Sequence, residues 1–493
     1  MRNGVGLIAA SLLRSVALSL SLVLAGCATY HARPLLPQRS AESFSSRTLS
    51  APQLRIFMRS RFGHPVTPWP PKAWTFSQLT AAALYYQPRL PVARARQAMA
   101  RADAVTADAY PNPSLRLDPF PQFTTNAGSG VSPWTIGLAV EVSLVTAGKR
   151  SQRAAEALAE AEAARFDVVQ TAWEVRTALR APLIKLYGAE RRLKLLRGQV
   201  ADAAKLVQAL RQRFKAGQTS EFQVVQARLQ WNRARLRCAD AETEVSQGRA
   251  DVAGALGVPV SALAGVSLDL AGLYDLPPLQ ALAQARFRTW ALTRRPDVRA
   301  ALMHYAASEQ ALKIVIASQY PNLQVGPGYT WDQGAHQWAI GFSLSLPVFN
   351  QNQGPVARAR AQREALASRF RALQAQIANH LDRAMATYRA RGQKLQLARK
   401  LLAAGRARIR SAKAAYQAGE KSRVDLLRIR LETQSDRLAM LEARMEAAQA
   451  RGDLEDTLEH PLGRRNADSQ AIEDVGASGK TRPEKPPREK SSP

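Results

Sequence analysis

The feature that most restricts this 493-residue chain is internal duplication. Tyr110-Pro111-Asn112 recurs as Tyr320-Pro321-Asn322. Trp134-Thr135-Ile136-Gly137-Leu138 recurs as Trp338-Ala339-Ile340-Gly341-Phe342, and Phe214-Lys215-Ala216-Gly217 recurs as Tyr416-Gln417-Ala418-Gly419. The offsets are 210, 204 and 202 residues. Three matches in one order, with so little drift, are not chance likeness between Ala/Arg-rich helices. Repeats set the fold before any local signal does. Each copy reads as helix, strand pair, very long helix, glycine turn and returning helix.

In the first copy the helical patterns cover 75–109, 148–216 and 219–256; in the second they cover 281–319, 354–418 and 421–458. Gly148 and Gly354-Pro355 mark the long-helix starts, with Pro355 suited to a first turn. Pro182 is expected to kink the first long helix without ending it. At 1.5 Å per residue the long helices span ~100 and ~97 Å, whereas globular helices average about 12 residues. Such helices build a rod or a tube wall. Leu193, Leu196, Val200, Ala203, Val207, Leu210 and Phe214 follow 3-4 spacing, repeated by Leu395, Ala398, Leu402, Gly405, Ile409, Ala412 and Tyr416. The returning helices continue the seam through Phe222, Val225, Leu229 and Leu236, and through Val424, Leu427, Leu431, Leu438, Leu441 and Met445. A 3.5-residue period predicts knobs-into-holes packing between antiparallel partners.

Between the first and long helices the period changes to 2. Trp134, Ile136, Leu138, Val140, Val142 and Leu144 alternate with small or polar residues, as do Trp338, Ile340, Phe342, Leu344, Leu346 and Val348. Preceding strands are expected at 113–123 and 322–331. The alternation fits a barrel strand with one face toward lipid and one toward a wet lumen; a half-buried soluble strand alternates in the same way. Beyond the N-terminal region no apolar run reaches the ~20 residues of a membrane-spanning helix. A membrane crossing would therefore use strands. Four strands cannot close a barrel, and open edges are not tolerated in lipid, so several chains must contribute.

The first residues read as an address. Arg2 and Arg14 precede the apolar run Ser15 to Leu24, followed by Leu24-Ala25-Gly26-Cys27. A short apolar run before small residues is a secretory signal. Cys27 after Leu-Ala-Gly resembles the bacterial lipobox, which implies a signal peptide over 1–26, acylation of Cys27 and, with Ala28 next, sorting to the outer membrane. The other cysteine, Cys238, has no disulfide partner, which excludes a disulfide scaffold. Sixty-nine Lys+Arg against 39 Asp+Glu give a net charge of +30. These cations are dispersed along the helices and accompanied by no finger, basic zipper or aromatic RNA-binding strand, so no nucleic-acid partner is expected. The six histidines form no i, i+4 pair and no H-E-x-x-H motif, so no metal site or cofactor is expected. No nucleophile elbow or phosphate loop is present, and an enzyme is not expected.

The duplicated helix–hairpin–helix plan, the Pro-Asn after each first helix, the Gly-bearing helical tips and the Cys27 signal resemble the TolC-like outer-membrane efflux factors over residues 75–460. The fold class this implies is mainly α with a small β part. Two tandem repeats of long coiled-coil helices carry four transmembrane strands, and a homotrimer forms a twelve-stranded barrel continued by a periplasmic tube. The resemblance further implies partnership with a periplasmic adaptor and an inner-membrane pump of the RND type, contact with outer-membrane lipid, and passive passage of substrate. Pro111-Asn112-Pro113-Ser114-Leu115, Gly326-Pro327-Gly328-Tyr329 and Leu346-Pro347-Val348-Phe349-Asn350 are similar to the heavy-metal cation efflux branch. A multidrug or type I protein secretion duct shares the fold. A periplasmic coiled-coil adaptor is an alternative of another class, and it would lack the alternating strands.

By the same resemblance the tunnel closes at the helical tips. Asp425 follows Gly419 at the family's acidic position, but residue 428 is Arg; the first repeat has Gln223 and Gln226 there. Two readings stay open: Asp425 and Arg428 rings at a periplasmic aperture, or a local Asp425–Arg428 pair on one helix face. Gly217, Gln218, Gly419, Glu420 and Lys421 resemble adaptor-docking tips, although glycine there also serves as an αL cap. The lipid-facing candidates are Trp134, Ile136, Leu138, Trp338, Ile340 and Phe342. The expected organisation is an anchor and wrapping segment at 27–74, repeat one at 75–256, an equatorial linker at 257–280, repeat two at 281–460 and a disordered tail at 461–493.

Overall fold

The computed structural model describes residues 29–121, 134–274, 284–332 and 334–462. Cys27, the expected signal, the hairpin tip at 122–133 and the tail from 463 lie outside the described residues. The chain divides into one compact unit ending at Arg47 and another beginning at Thr48. In the first, helix α1 (Pro37–Ser45) starts at a proline in its first turn and buries no residue.

The second unit carries the duplication. Its order is α2 (Pro52–Phe62), β1 (Trp74–Thr75), α3 (Phe76–Tyr86), α4 (Arg89–Asp108), β2 (Ser114–Pro121), β3 (Trp134–Leu144), α5 (Lys149–Lys215) and α6 (Glu221–Leu256). Then come β4 (Leu268–Asp269), α7 (Gln284–Thr293), α8 (Pro296–Ala317), β5 (Leu323–Asp332), β6 (Ala335–Leu344), α9 (Gln353–Gln417) and α10 (Arg423–Leu458). Helix α5 runs through Pro182 without stopping. Both long helices start from a left-handed N-cap, Gly148 at φ 68° and Asn352 at φ 67°.

The first helix of each repeat is two helices, not the single spans 75–109 and 281–319. Gln87 is extended ahead of Pro88, and Arg295 is extended ahead of Pro296, because proline pushes its predecessor out of the helical region. Each break does the same task. The Gln87 side-chain amide donates to the carbonyls of Gly254 and Ala255, at 2.8 and 2.7 Å, near the C-terminus of α6. The Arg295 guanidinium donates to the Thr457 carbonyl near the C-terminus of α10. The orphan carbonyls of each returning helix thus find partners in the broken first helix.

The main apolar core joins α2, α3, α5 and α6 around Leu54, Met58, Leu79, Leu179, Leu183 and Leu256, with Leu270 and Tyr274 of the inter-repeat segment packed into it. Strands β1 and β4 pair in parallel, Trp74 with Leu268 and Thr75 with Asp269, and stitch the two non-repeat segments together. Toward the tips the packing is a seam. Leu206, Val207 and Leu210 meet Ala227, Val424 and Leu427, while Leu395 and Ala398 meet Ala443 and Ala447.

On α6 the seam differs from expectation. Phe222, Val225, Leu229 and Leu236 are 71, 58, 50 and 65 % exposed. The buried stripe is Ala227, Ala234, Ala241 and Gly248, one small residue every seven. Helix α6 carries two heptad stripes, and the small one allows the closer approach to α5. The seam also stops short of the tips, since Phe214 and Tyr416 are exposed.

Candidate functional site

Four strands form one antiparallel sheet in the order β2-β3-β5-β6. The register Leu138 with Tyr329, and Tyr329 with Trp338, puts apolar side chains of three strands in one row. Ile136 opposite Trp331 and Val325 opposite Phe342 extend the same face. The lipid-facing candidates Ile136, Leu138, Trp338, Ile340 and Phe342 fall on it, with Trp338 81 % and Phe342 70 % exposed; the Trp134 side chain lies outside the described residues. Strand β6 begins earlier than expected, at Ala335, and ends at Leu344. Leu346 and Val348 therefore lie beyond it, on either side of Pro347, which cannot donate to a ladder.

The opposite face is polar and bare. Gly137, Ala139, Gly326, Gly328, Ala339 and Gly341 line a shallow concavity beside Arg116, Asp118 and Glu141. Arg116 is held by Asp118 at 2.9 Å and Glu141 at 2.7 Å, and the Thr135 hydroxyl donates to Asp332 at 2.7 Å. Strands β2 and β6 are the sheet's outer strands. A large exposed apolar face with unpaired edge strands marks a surface built to be covered, by lipid or by protein, and to pair with further strands. Among the described residues no helix is long and apolar enough to cross a membrane.

The tips are two copies of one turn. Gly217 (φ 71°) and Gly419 (φ 79°) take the left-handed conformation. Gln218 donates its amide to the Arg213 carbonyl at 2.8 Å, and Glu420 to that of Ala415 at 2.9 Å, the wider bond of a Schellman cap. Beyond Gly419 the copies diverge. Asp425 closes a capping box: its carboxylate accepts from the Ser422 amide at 3.1 Å and hydroxyl at 2.6 Å, and its own amide donates to that hydroxyl. The Ser422 hydrogen bonds outweigh partial burial and lower the Asp425 pKa. Arg428 reaches across to the Gln223 side-chain oxygen at 3.4 Å. The structure thus brings Arg428 and Gln223 together and leaves Asp425 in its cap. Gln226, Gln218 and Lys421 are exposed.

Sequence reading missed a buried charge cluster between α5 and α10. The Glu455 side chain, 4 % exposed, accepts from Arg176 at 3.0 Å, Arg180 at 3.1 Å and Arg451 at 3.1 Å. Arg180 also holds Asp456 at 2.7 Å and donates to the Gly452 carbonyl at 2.6 Å. A Cβ at Gly452 would meet Arg180 Cδ at 2.7 Å, so glycine makes the room. Burial opposes ionisation of Glu455, but Arg180, Arg176 and Arg451 hold its carboxyl down at about 2. Glu459, 5 % exposed beside Arg295 at 3.1 Å, is pushed up to about 7 because burial outweighs that single cation. The i, i+4 spacings of Arg176/Arg180 and Arg451/Glu455 were the available signal. Among the described residues no group of three or more His, Cys, Asp and Glu is placed to hold a metal.

Comparison with known proteins agrees with this geometry. The chain is 26% identical over 271 residues to the cobalt-zinc-cadmium resistance protein CzcC of Cupriavidus metallidurans; the match covers 54% of this chain and 62% of that relative. The outer-membrane channel OprN superposes with a TM-score of 0.64 at 21% identity, covering 88% of this chain and 98% of OprN. The outer membrane protein VceC of Vibrio cholerae superposes with a TM-score of 0.64 at 18% identity, covering 79% of this chain and 97% of VceC. The outer membrane efflux protein family matches residues 79–258 and 289–458, one stretch for each repeat, and the chain belongs to that family.

Proposed function

We propose that the chain is the outer-membrane channel subunit of a tripartite efflux system. Three copies seal a twelve-stranded barrel, and the long helices carry the duct into the periplasm toward an adaptor and an inner-membrane pump of the RND type. The observation that carries this reading is the four-stranded sheet, apolar on one face and polar on the other, with an open strand at each edge. Twelve strands is an even number within the usual range for such barrels. The apolar stripe left outward on α6 supplies a second surface for a neighbouring copy. The pump provides the energy, and the chain provides a passage.

Heavy-metal cations are the proposed cargo, supported by the similarity to a cobalt-zinc-cadmium resistance protein. A drug or polypeptide duct is the competing reading within the same fold. An acylated Cys27 would anchor the chain in the outer membrane. The tips at Gly217, Gln218, Gly419, Glu420 and Lys421 serve adaptor docking, and Asp425 with Arg428 and Gln223 sits at the aperture. Against a periplasmic adaptor stands the exposed apolar face of the sheet, which a soluble protein would have to cover.

Chemical crosslinking of outer-membrane fractions tests the architecture. A heat-sensitive trimer is expected, and a soluble periplasmic monomer would reject it. A deletion strain hypersensitive to cobalt, zinc or cadmium and indifferent to drugs is expected for the cargo; the opposite pattern would replace it.

A further inference from the structure

Inside the buried cluster between α5 and α10 the cations outnumber the carboxylates. Arg176, Arg180 and Arg451 share Glu455 and Asp456. The side chains of Arg176, Arg180 and Glu455 are at most 4 % exposed, so three positive charges meet two negative ones away from solvent. Burial pushes the Asp456 carboxyl up, so two is the most that these carboxylates supply. Glu455 is already saturated. Its Oε2 faces Arg176 and Arg180, and its Oε1 accepts from Arg451 and from the Leu462 amide at 3.3 Å. A buried charge without a counter-charge is strongly destabilising, so the excess calls for an anion from outside the chain.

A cavity of about 170 Å³ opens against the cluster. Arg176, Arg180 and Arg451 line one side, and Thr75, Phe76 and Ser77, the start of α3, line another. The Phe76 ring lies over the Arg176 and Arg180 guanidiniums, 5.0 and 5.6 Å from its centroid, and shields them from water. The Thr75 hydroxyl accepts the Gln78 amide at 3.4 Å. The amides of Phe76 and Ser77 begin the helix and have no partner within it, and such a helix start favours negative charge. Arg180 supplies an independent sign. Its Nη1 and Nη2 are engaged by the Gly452 carbonyl, Asp456 and Glu455, but its Nε is buried with no hydrogen-bond partner among the described residues. Asp269 also lines the cavity. It is exposed, and its carboxylate accepts the Ala271 amide at 3.2 Å, so solvent screens its charge.

The size of the excess selects the ligand. One surplus positive charge is balanced by a monovalent anion, whereas a phosphate dianion would leave a buried negative charge. The volume holds such an ion with a few waters, each taking ~30 Å³. We propose that this cavity binds a small monovalent anion of the halide class, held by Arg180 and the first turn of α3 within the field of Arg176 and Arg451. Arg451 also donates to the Gly272 carbonyl at 2.7 Å. The anion therefore sits where the start of repeat one, the inter-repeat segment, α5 and α10 meet, and ties them together. The proposal is independent of the channel reading.

The test uses purified full-length protein in detergent, exchanged into sodium gluconate and titrated with sodium bromide at constant ionic strength. The unfolding midpoint is expected to rise with bromide, because an ion that binds only the folded state stabilises it by mass action. Ser77→Asp places a carboxylate in the first turn of α3, so its midpoint should no longer respond to bromide. Arg180→Met removes the surplus cation and should abolish the response as well; if that variant fails to fold, Ser77→Asp decides. Crystals soaked in bromide are expected to show an anomalous peak between Arg180 and the start of α3, absent in Ser77→Asp. Equal midpoints in bromide and gluconate, or an equal bromide response in Ser77→Asp and unaltered protein, would overturn the proposal. So would stabilisation by phosphate but not by bromide. A crystal peak with no response in solution marks an adventitious ion only and would overturn it too.

Discussion

Glu455→Gln removes one negative charge from the most enclosed ionic cluster described in the protein and leaves its shape nearly unchanged. The carboxylate faces Arg176, Arg180 and Arg451 within 3.1 Å, and it and the first two guanidiniums are at most 4 % exposed. A carboxyl held at about 2 in place of an ordinary 4.5 corresponds to ~3 kcal/mol at neutral pH. Breaking a buried pair from one side costs about 3–5 kcal/mol by mutational experience, so the two routes agree. For a folded unit of about 400 residues the unfolding entropy is ~0.8 kcal/mol per kelvin, and a loss of ~4 kcal/mol lowers the midpoint by ~5 °C. The pH dependence is the sharper assay. Glu455 binds its proton less readily when folded, so its contribution is complete above pH 4.5 and is lost as pH falls through about 2. Thermal scans of unaltered and Glu455→Gln protein should therefore differ at pH 7 and converge toward pH 2.5. A midpoint change under ~1 °C at pH 7, or a gap constant with pH, would refute the reasoning.

Glu459 behaves in the opposite sense. Burial raises its carboxyl to about 7, so the folded protein holds the proton more tightly, and stability falls as pH rises from about 4.5 to about 7. Glu459→Gln should match the unaltered protein at pH 5 and exceed it at pH 8 in the same scans. Leu236, exposed on α6, is expected to tolerate Leu236→Glu within about 0.5 kcal/mol as a single chain, while crosslinked trimer declines; full trimer yield would remove α6 from the proposed interface. At the tip, Asp425→Asn loses a charged cap worth about 1 kcal/mol and, with Arg428→Asp, should shift ion selectivity in planar bilayers. Unchanged selectivity in both would discard the aperture reading.

Much of this architecture was legible because it was stated twice. Period-2 alternation from Trp134 and from Trp338 marks two strands and their shared face, and the φ-positive glycines at 217 and 419 mark the tips. The breaks before Pro88 and Pro296 had a local signal in the prolines themselves, which the helical pattern on either side obscured. The pairing of α6 was ambiguous for a physical reason. Two heptad stripes share that helix, and the tighter approach permitted by Ala227, Ala234 and Ala241 won over the larger side chains of Leu229 and Leu236. The Glu455 cluster joins residues about 275 positions apart, and the i, i+4 spacings within each helix do not say which helix faces which. Asp425 illustrates a further limit: spacing offers an aperture ring or a pair with Arg428, and neither reading carries the Ser422 capping contacts that the structure adds.

The polar side of the sheet has one more implication. With glycine at 137, 326, 328 and 341 and alanine at 139 and 339, that surface presents bare backbone over a patch of β3, β5 and β6, with the ion-paired Arg116, Asp118 and Glu141 beside it. In the proposed channel a solute passing the bare patch meets backbone, while the side chains able to contact it are those of the neighbouring cluster. On the channel proposal, any discrimination at the level of the strands falls to Arg116, Asp118 and Glu141 and not to the glycine patch.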